Sequence, residues 1–333
     1  MAILQYQGCY ISHTASTVGK IEAEGPLGTC FDLIERDPYF GEESWEKAES
    51  EMVHRTLNVL LKKAGKTPDD IDLILGGDLL NQIVSASYTA RQLGAPFLGL
   101  YGACSTMAES LLLGALLVDG GYADRVVCAT CSHFATAERQ YRFPLELGNQ
   151  RTPTAQWTVT GAGATLLGRG EAKGLPLRLT AATIGRVVDK QQTDINNMVA
   201  AMAPAAADTL LAHLRDLHRS VQDYDLIVTG DLGCVGYDLM CLLCEQKGVS
   251  LDGRYIDCGC EVFSPEQDVH AGGSGCGCSA CCLNGWLFGR MLSGEIRRLL
   301  FLATGALMST TTSQQGESIP AIAHAVTLEV EEG

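Results

Sequence analysis

Cys104 is the residue of this chain best placed to act as a nucleophile or to face a ligand. It follows the apolar stretch PFLGLYGA and precedes a helical pattern that begins at Ser105. Small residues at Gly102 and Ala103 permit a tight turn, and the N–H groups and dipole of a helix start favour a thiolate. A small buried residue at a strand–helix junction would show the same pattern. The residues alone leave both interpretations open.

A second group of chemically useful side chains lies in the run SHFATAERQYRFPLELGNQRTPTAQWTVTGAGA. Arg139 and Arg142 flank Tyr141, and His133 follows the end of a predicted strand, near the point that Cys104 must face. Guanidinium groups bind carboxylates through two hydrogen bonds at once, and aromatic faces stack on flat rings. The run therefore suits a small planar aromatic carboxylate. A charge-satisfied surface loop or a dimer contact is the alternative interpretation.

Two cysteine pairs, Cys258-Gly-Cys260 and Cys276-Gly-Cys278, resemble metal ligands. Structural zinc sites use C-x₂₋₄-C spacing, whereas a single glycine separates the cysteines here. We therefore predict no metal site, and no motif indicates a cofactor.

The elements that would position Cys104 form a first α/β half, which we assign to residues 1–170. Ser44 can cap a helix that runs to Ala64 with one apolar stripe, and Gly65 ends it. The remaining pattern predicts a strand over 71–75, a helix over 81–93, a short strand before Cys104, a helix over 105–118, a strand over 126–132 and a strand pair over 157–168.

A second half, residues 171–333, repeats this order. The pattern predicts strands near 177–185 and 225–229, helices over 196–220 and 237–246, a strand over 254–257, a helix after the glycine-rich turn GGSGCGCS, and strands over 298–303 and 322–330. Pro204 predicts a break in the first of these helices, because proline removes a backbone hydrogen bond.

The two halves also share sequence. DLILGGDL at 72–79 returns as DLIVTGDL at 225–232, and a second pairing matches Thr130 with Thr304 and Cys104 with Cys278. Two copies of a strand–helix–strand unit, one with a cysteine between strand and helix, are typical of thiolase-like proteins. The predicted fold is α/β, a five-layer α-β-α-β-α body built from two duplicated halves, with largely parallel sheets covered on both faces.

Resemblance to thiolases and condensing enzymes implies where helpers of Cys104 would lie. One position, usually histidine, follows a strand of the second half and is occupied here by Asp231 or Gly230. The other falls in the glycine-rich turn at Gly273 or Ser274, and only an insertion would bring His270 into place. An anion beside a thiol opposes its ionisation. We therefore predict that the catalytic set is incomplete and that Cys104 is a vestigial nucleophile.

Composition excludes several classes of protein. The chain has 333 residues, 46% of them hydrophobic, and a net charge of −15, which disfavours nonspecific binding to nucleic acid. No apolar run approaches the ~18–20 residues that span a bilayer, and no signal peptide is recognisable. Most of the 14 cysteines lie in apolar runs, which favours an intracellular, reducing compartment. Any association with a membrane must then depend on partners.

Four long motifs resemble the stage V sporulation protein AD family, and the resemblance covers essentially the whole chain. They are SHFATAERQYRFP, PTAQWTVTGAG, HAGGSGCGCSA and ATGALMS…QQGESIPAIAHAV. The resemblance implies a thiolase-like protein without enzymatic activity that binds dipicolinic acid (pyridine-2,6-dicarboxylic acid). It further implies work with the other proteins of the spore dipicolinate channel, which move the compound into developing spores and out during germination. The expected location is the forespore, at the periphery of the spore inner membrane, and thiolase-like bodies generally form homodimers.

On this interpretation a cavity freed from catalysis accepts the pyridine ring between apolar walls. The expected ligand contacts are Cys104, His133, Arg139, Arg142, Asp231, His270, Gly273 and Ser274. Two rivals remain. One is an acyl-transferring or condensing enzyme with Cys104 as nucleophile and His270 or His133 as base. The other is a scaffold that only docks membrane proteins.

Overall fold

A computed structural model describes residues 1–141, 151–169, 176–251 and 253–331. The strands are β1 (Ala2–Gln5), β2 (Cys9–Val18), β3 (Leu33–Ile34), β4 (Leu73–Gly77), β5 (Phe97–Gly99), β6 (Arg125–Ser132), β7 (Trp157–Thr158), β8 (Gly161–Arg169), β9 (Leu177–Ile184), β10 (Leu226–Thr229), β11 (Tyr255–Asp257), β12 (Gly273–Ser274), β13 (Arg298–Ala306) and β14 (Ala321–Val330). The helices are α1 (Lys20–Ala23), α2 (Trp45–Ala64), α3 (Val84–Leu93), α4 (Thr106–Asp119), α5 (Phe134–Tyr141), α6 (Val199–Asp216), α7 (Gly233–Glu245), α8 (Cys258–Glu261), α9 (Cys276–Cys281), α10 (Phe288–Leu292) and α11 (Thr310–Gln314).

The strands form two half-sheets that meet at a short pairing of β2 with β9. The first runs β2-β8-β6-β4-β5 with β3 beside β2, and the second runs β11-β10-β13-β14-β9 with β1 beside β9. Both are mixed, because β8 runs antiparallel to β2 and β6, and β14 runs antiparallel to β13 and β9. The prediction of largely parallel sheets is therefore wrong. An antiparallel strand covered on both faces is also a continuous apolar run, so hydrophobicity does not reveal strand direction.

Helices cover the half-sheets in the five layers predicted from the sequence. α4 and α9 lie in the centre and are buried around nearly their whole circumference, with Met107, Leu111 and Cys278 fully enclosed. Outside them, α2 covers the first half-sheet, and α6 with α7 covers the second. The central helices therefore hold the two halves in one core, and the turns that precede them face the opposite half.

Local signals placed the ends of α2 correctly. The Ser44 hydroxyl accepts the N–H of Lys47, and Gly65 follows the helix with φ 61° and ψ 38°, the left-handed conformation that favours glycine. The predicted break at Pro204 is wrong, since α6 continues through it. Pro204 lies near the start of that helix, where it removes only one hydrogen bond, and burial of the helix against β14 and α7 compensates.

Sheet register corrects the alignment of the two halves. Asp72 accepts the N–H of Arg125 and Asp225 accepts that of Arg298, both at 2.8 Å, so these positions are equivalent. The ladders that start there match Thr130 with Ala303 and not Thr304.

At the offset that these ladders set, Cys104 falls opposite Gly277 and not Cys278. The sequence match between the two halves was therefore wrong by one residue. Chance identity of residues in the strands suggested it, whereas the backbone pairing determines which positions are equivalent.

Candidate functional site

Cys104 lies in a 3₁₀ turn, Ala103–Ser105, between β5 and α4. Ala103 adopts a left-handed backbone with φ 50°, and the Ser105 hydroxyl donates to the Gly102 carbonyl at 2.7 Å. The end of β13 lies directly under the turn, since a Cβ on Gly305 would come within 2.1 Å of the Gly102 oxygen. The turn is therefore fixed against the second half, and the Cys104 side chain remains partly exposed.

The Cys104 thiol faces a cavity built from both halves of the chain. About 500 Å³ of space there is free of protein atoms, part of it open to solvent. Among the described residues that line it there is no arginine, lysine, histidine or asparagine. The lining residues are Leu79, Ala103, Cys104, Ala137, Tyr141, Thr158, Met198, Ser274, Gly275, Ala306 and Met308.

Asp231 lies behind two of the lining residues, Cys104 and Gly275. Its fully buried carboxylate accepts hydrogen bonds from the Thr304 hydroxyl at 2.8 Å, from the Gly275 N–H at 3.2 Å and from the Cys104 thiol. Burial raises the pKa of Asp231 to about 6, against the opposing effect of the Thr304 and Cys104 hydrogen bonds. A thiol that donates to a carboxylate keeps its proton, so this arrangement opposes formation of a nucleophilic thiolate.

The glycine-rich turn borders the same cavity. β12 pairs with β7, and the Gln156 amide donates to the carbonyls of Asp231 and Gly273 at 2.8 and 3.0 Å. Ser274 lines the cavity, while Gly273 is buried in the turn beside it. The structure thus brings Cys104, Asp231, Gly273 and Ser274 together. That they contact a ligand stays a prediction.

His133 lies elsewhere. Its imidazole is 2.8 Å from the Pro38 carbonyl, its ring centre is 5.5 Å from that of Trp45, and it lines a different cavity. Burial lowers its pKa. Successive strand residues point to opposite faces, so Ser132, whose hydroxyl accepts the Gly277 N–H, faces the centre and His133 faces outward. The expectation that His133 lies near Cys104 is wrong.

His270 is also absent from the cavity. It is exposed, its Nδ1 is 2.7 Å from the Thr152 carbonyl, and its Nε2 is 3.4 Å from the Asp268 carboxylate. β12 follows the glycine turn without an insertion that would carry His270 inward. Neither histidine considered as a base is therefore beside Cys104.

Of the two arginines expected to contact the ligand, the structure describes only Arg139. Arg139 forms an ion pair with Glu46 of α2 at the surface. Ala137 and Tyr141 line the cavity one helical turn apart, and Arg139, two residues from each of them, faces the other way. The expectation that Arg139 contacts a ligand in this cavity is therefore not supported by its position. Arg142 lies outside the described residues.

Sequence patterns did not identify several of the residues that line the cavity. Thr158 donates to the carboxylate of Glu138 at 3.1 Å, and Met198 and Met308 come from segments far apart in the chain. Tyr141, noted only as an aromatic between arginines, donates its hydroxyl to the Leu79 carbonyl, and burial raises its pKa. No local pattern marks the methionines, because only the packing of the two halves brings them to Cys104.

The structure also bears on the predictions about cysteines, metal ions and membrane spans. All 14 cysteines fall within the described residues and all are free thiols. Among the residues described, no cluster of three or more His, Cys, Asp or Glu side chains is arranged to hold a metal ion. No helix in the described part of the chain is long and apolar enough to cross a membrane.

Comparison with known proteins gives a family and a relative. A family model described as stage V sporulation protein AD matches residues 2–329. The stage V sporulation protein AD of Bacillus subtilis (strain 168) is 45% identical over 320 residues, which cover 96% of this chain and 94% of that protein.

Solved structures of other proteins share the fold. The 3-oxoacyl-[acyl-carrier-protein] synthase III of Aquifex aeolicus superposes with a TM-score of 0.59 at 14% identity, covering 97% of this chain and 100% of that one. Cerulenin-bound OleA of Xanthomonas campestris gives a TM-score of 0.62 at 14% identity, covering 97% and 98%. At such low identity the likeness concerns the fold alone, and it confirms the predicted thiolase-like architecture.

Proposed function

The chain belongs to the stage V sporulation protein AD family, and on that premise we propose that it binds dipicolinic acid in the cavity at Cys104 without transforming it. The observation that carries the proposal lies directly behind the cavity wall, where Asp231 accepts a hydrogen bond from the thiol that a condensing enzyme would ionise. The cavity lacks, among its described lining residues, a histidine to activate the thiol.

The walls suit a flat ring with polar edges. Leu79, Ala137, Met198 and Met308 provide apolar faces, and the hydroxyl groups of Thr158 and Ser274 provide polar ones. Each hydrogen bond to a charged group contributes ~1.5–3 kcal/mol, while association costs ~4–15 kcal/mol. A few such bonds leave weak binding, roughly micromolar to millimolar, which suits a solute transported at high concentration.

Calorimetric titration tests the proposal, with pyridine-2-carboxylate and acetyl-CoA as control ligands. Saturable heat with dipicolinate that requires both carboxylates would support it. The Arg139→Ala variant is a matched control, because Arg139 pairs with Glu46 at the surface and its loss is expected to leave affinity unchanged.

The acyl-transferring enzyme makes the opposite prediction. If Cys104 is a working nucleophile, incubation with acetyl-CoA adds the mass of an acetyl group to the wild-type protein and not to Cys104→Ala. We expect no such addition, because the thiol donates to Asp231. Acetylation without dipicolinate binding would overturn the proposal in favour of an enzyme. The absence of both acetylation by acetyl-CoA and binding of dipicolinate would favour a scaffold.

We expect dipicolinate to bind more tightly as the pH falls from about 7.5 to about 5.5. The pKa of Asp231, raised by burial to about 6, means that its carboxylate gains a proton across this window, which removes a negative charge beside a dianionic ligand. The expected gain is about three- to tenfold in affinity. Asp231→Asn should bind with little dependence on pH over the same window. Equal pH dependence in both proteins would rule out Asp231 as the group responsible.

We further propose that the protein acts in dipicolinate uptake by the developing spore and in its release during germination, together with membrane proteins at the spore inner membrane. Homodimerisation through the first half-sheet is part of this proposal. β5 forms the edge of that half-sheet, and Leu98 and Tyr101 are exposed there. Unpaired edge strands with apolar side chains favour pairing with another strand. Sedimentation velocity measures the copy number directly.

A further inference from the structure

Two cysteines of the second half, Cys234 and Cys260, lie close together. Cys234 is the second residue of α7 and is exposed, and Cys260 belongs to α8 and is partly buried. Their thiols are joined by a hydrogen bond. Neither residue lines the dipicolinate cavity.

The backbones that carry the two cysteines are clamped together by one side chain. The Asp257 carboxylate accepts the N–H of Gly233 at 2.7 Å and that of Gly259 at 2.8 Å, the residues immediately before Cys234 and Cys260. It also accepts the Leu232 N–H at 2.8 Å. A Cβ on Gly259 would lie 3.1 Å from the Gly233 nitrogen, so the two segments approach closely. The thiols therefore meet because of a rigid arrangement, not through chance rotation of two mobile side chains.

We propose that Cys234 and Cys260 form a dithiol site that small disulfides oxidise reversibly to an intramolecular disulfide. Close approach of two cysteines held by backbone contacts is the geometric requirement for such a bond. Exposure of Cys234 gives a small disulfide access to the first thiol.

The two thiols differ in pKa, and this difference determines which of them reacts first. The hydrogen bond from Cys260 lowers the pKa of Cys234 to about 7, and the same interaction raises the pKa of Cys260. Cys234 is therefore the attacking thiolate near neutral pH, and Cys260 is the resolving thiol.

The exchange balances with one small disulfide as oxidant. The Cys234 thiolate attacks one sulfur of the disulfide, its S–S bond breaks, and one small thiolate leaves. Cys260 then loses its proton, attacks the Cys234 sulfur of the mixed disulfide, and displaces the second small thiolate. The protein loses two electrons and two protons, and the small disulfide becomes two thiols.

The test uses the folded, fully reduced chain in mixtures of oxidised and reduced glutathione, with acid quenching, alkylation and peptide mapping. We expect Cys234 and Cys260 to lose alkylation together, the protein mass to fall by two hydrogen atoms, and dithiothreitol to reverse both changes. Cys260→Ser should stop the reaction at one glutathione on Cys234, because the resolving thiol is absent.

Cys241→Ser is the matched control, since Cys241 lies on the same helix outside the proposed pair and its loss should change nothing. A glutathione that persists on wild-type Cys234, a disulfide that joins Cys234 to another cysteine, or no oxidation at either position would each overturn the proposal. Dipicolinate binding does not enter this measurement, so its outcome is independent of the function proposed above.

Discussion

Ser274→Phe is expected to reduce dipicolinate affinity at least about tenfold, a loss above about 1.4 kcal/mol in binding free energy. Ser274 lines the cavity from the second half, and its neighbour Gly275 donates to Asp231. A phenyl ring at this position would occupy the space that we assign to the pyridine ring. Calorimetric titration at constant pH measures the change directly.

Two further variants make this result interpretable. Ser274→Ala keeps the cavity open and should alter affinity by only a fewfold, since it removes a single hydroxyl. Ala137→Leu fills space in the same cavity from α5, and it should also weaken binding. Thermal unfolding shows whether each variant retains its fold. Folded Ser274→Phe and Ala137→Leu proteins that bind as well as wild type would place the ligand outside this cavity.

Asp257→Ala is expected to destabilise the protein by about 3–5 kcal/mol. This fully enclosed carboxylate accepts the Thr229 hydroxyl at 2.6 Å and three backbone N–H groups, which would all lose their acceptor inside the protein. Each buried donor without a partner costs roughly 1–3 kcal/mol, and partial entry of water reduces the sum. Chemical denaturation gives the free energy of unfolding.

Asp257→Asn keeps the shape and one acceptor oxygen, so its cost should be smaller than that of Asp257→Ala. Asp69→Ala, at an exposed position, should stay within about 0.5 kcal/mol of wild type. An Asp257→Ala protein as stable as Asp69→Ala would show that the clamp between α7 and α8 contributes no net stability. It would also remove the physical reason for the approach of Cys234 to Cys260.

Predictions from the sequence were most accurate where the cause is local. Ser44 and Gly65 mark the ends of α2 through their own hydrogen bonding and backbone conformation, which neighbours in the chain determine. The repeated DL…GDL segments located β4 and β10, and the resemblance to condensing enzymes pointed to Asp231 before its contacts were known.

Errors arose where a shift of one or two residues along the chain turns a side chain toward another face of its strand or helix. His133 follows Ser132 at the end of β6, and strand alternation turns it toward Trp45 and away from Cys104. Arg139 lies between Ala137 and Tyr141 on α5, so helical periodicity turns it toward Glu46. Both residues have suitable chemistry, and both face another part of the molecule.

The sequence by itself determined the family, the two-part thiolase-like body and the segments that contribute Cys104, Asp231 and Ser274, because long motifs and an internal repeat are preserved in the order of residues. Only the tertiary structure decided the direction of the strands, the side to which each side chain points and the hydrogen bond from Cys104 to Asp231. These depend on contacts between residues that are distant in the sequence, and short-range patterns carry no information about which distant side chain completes a site.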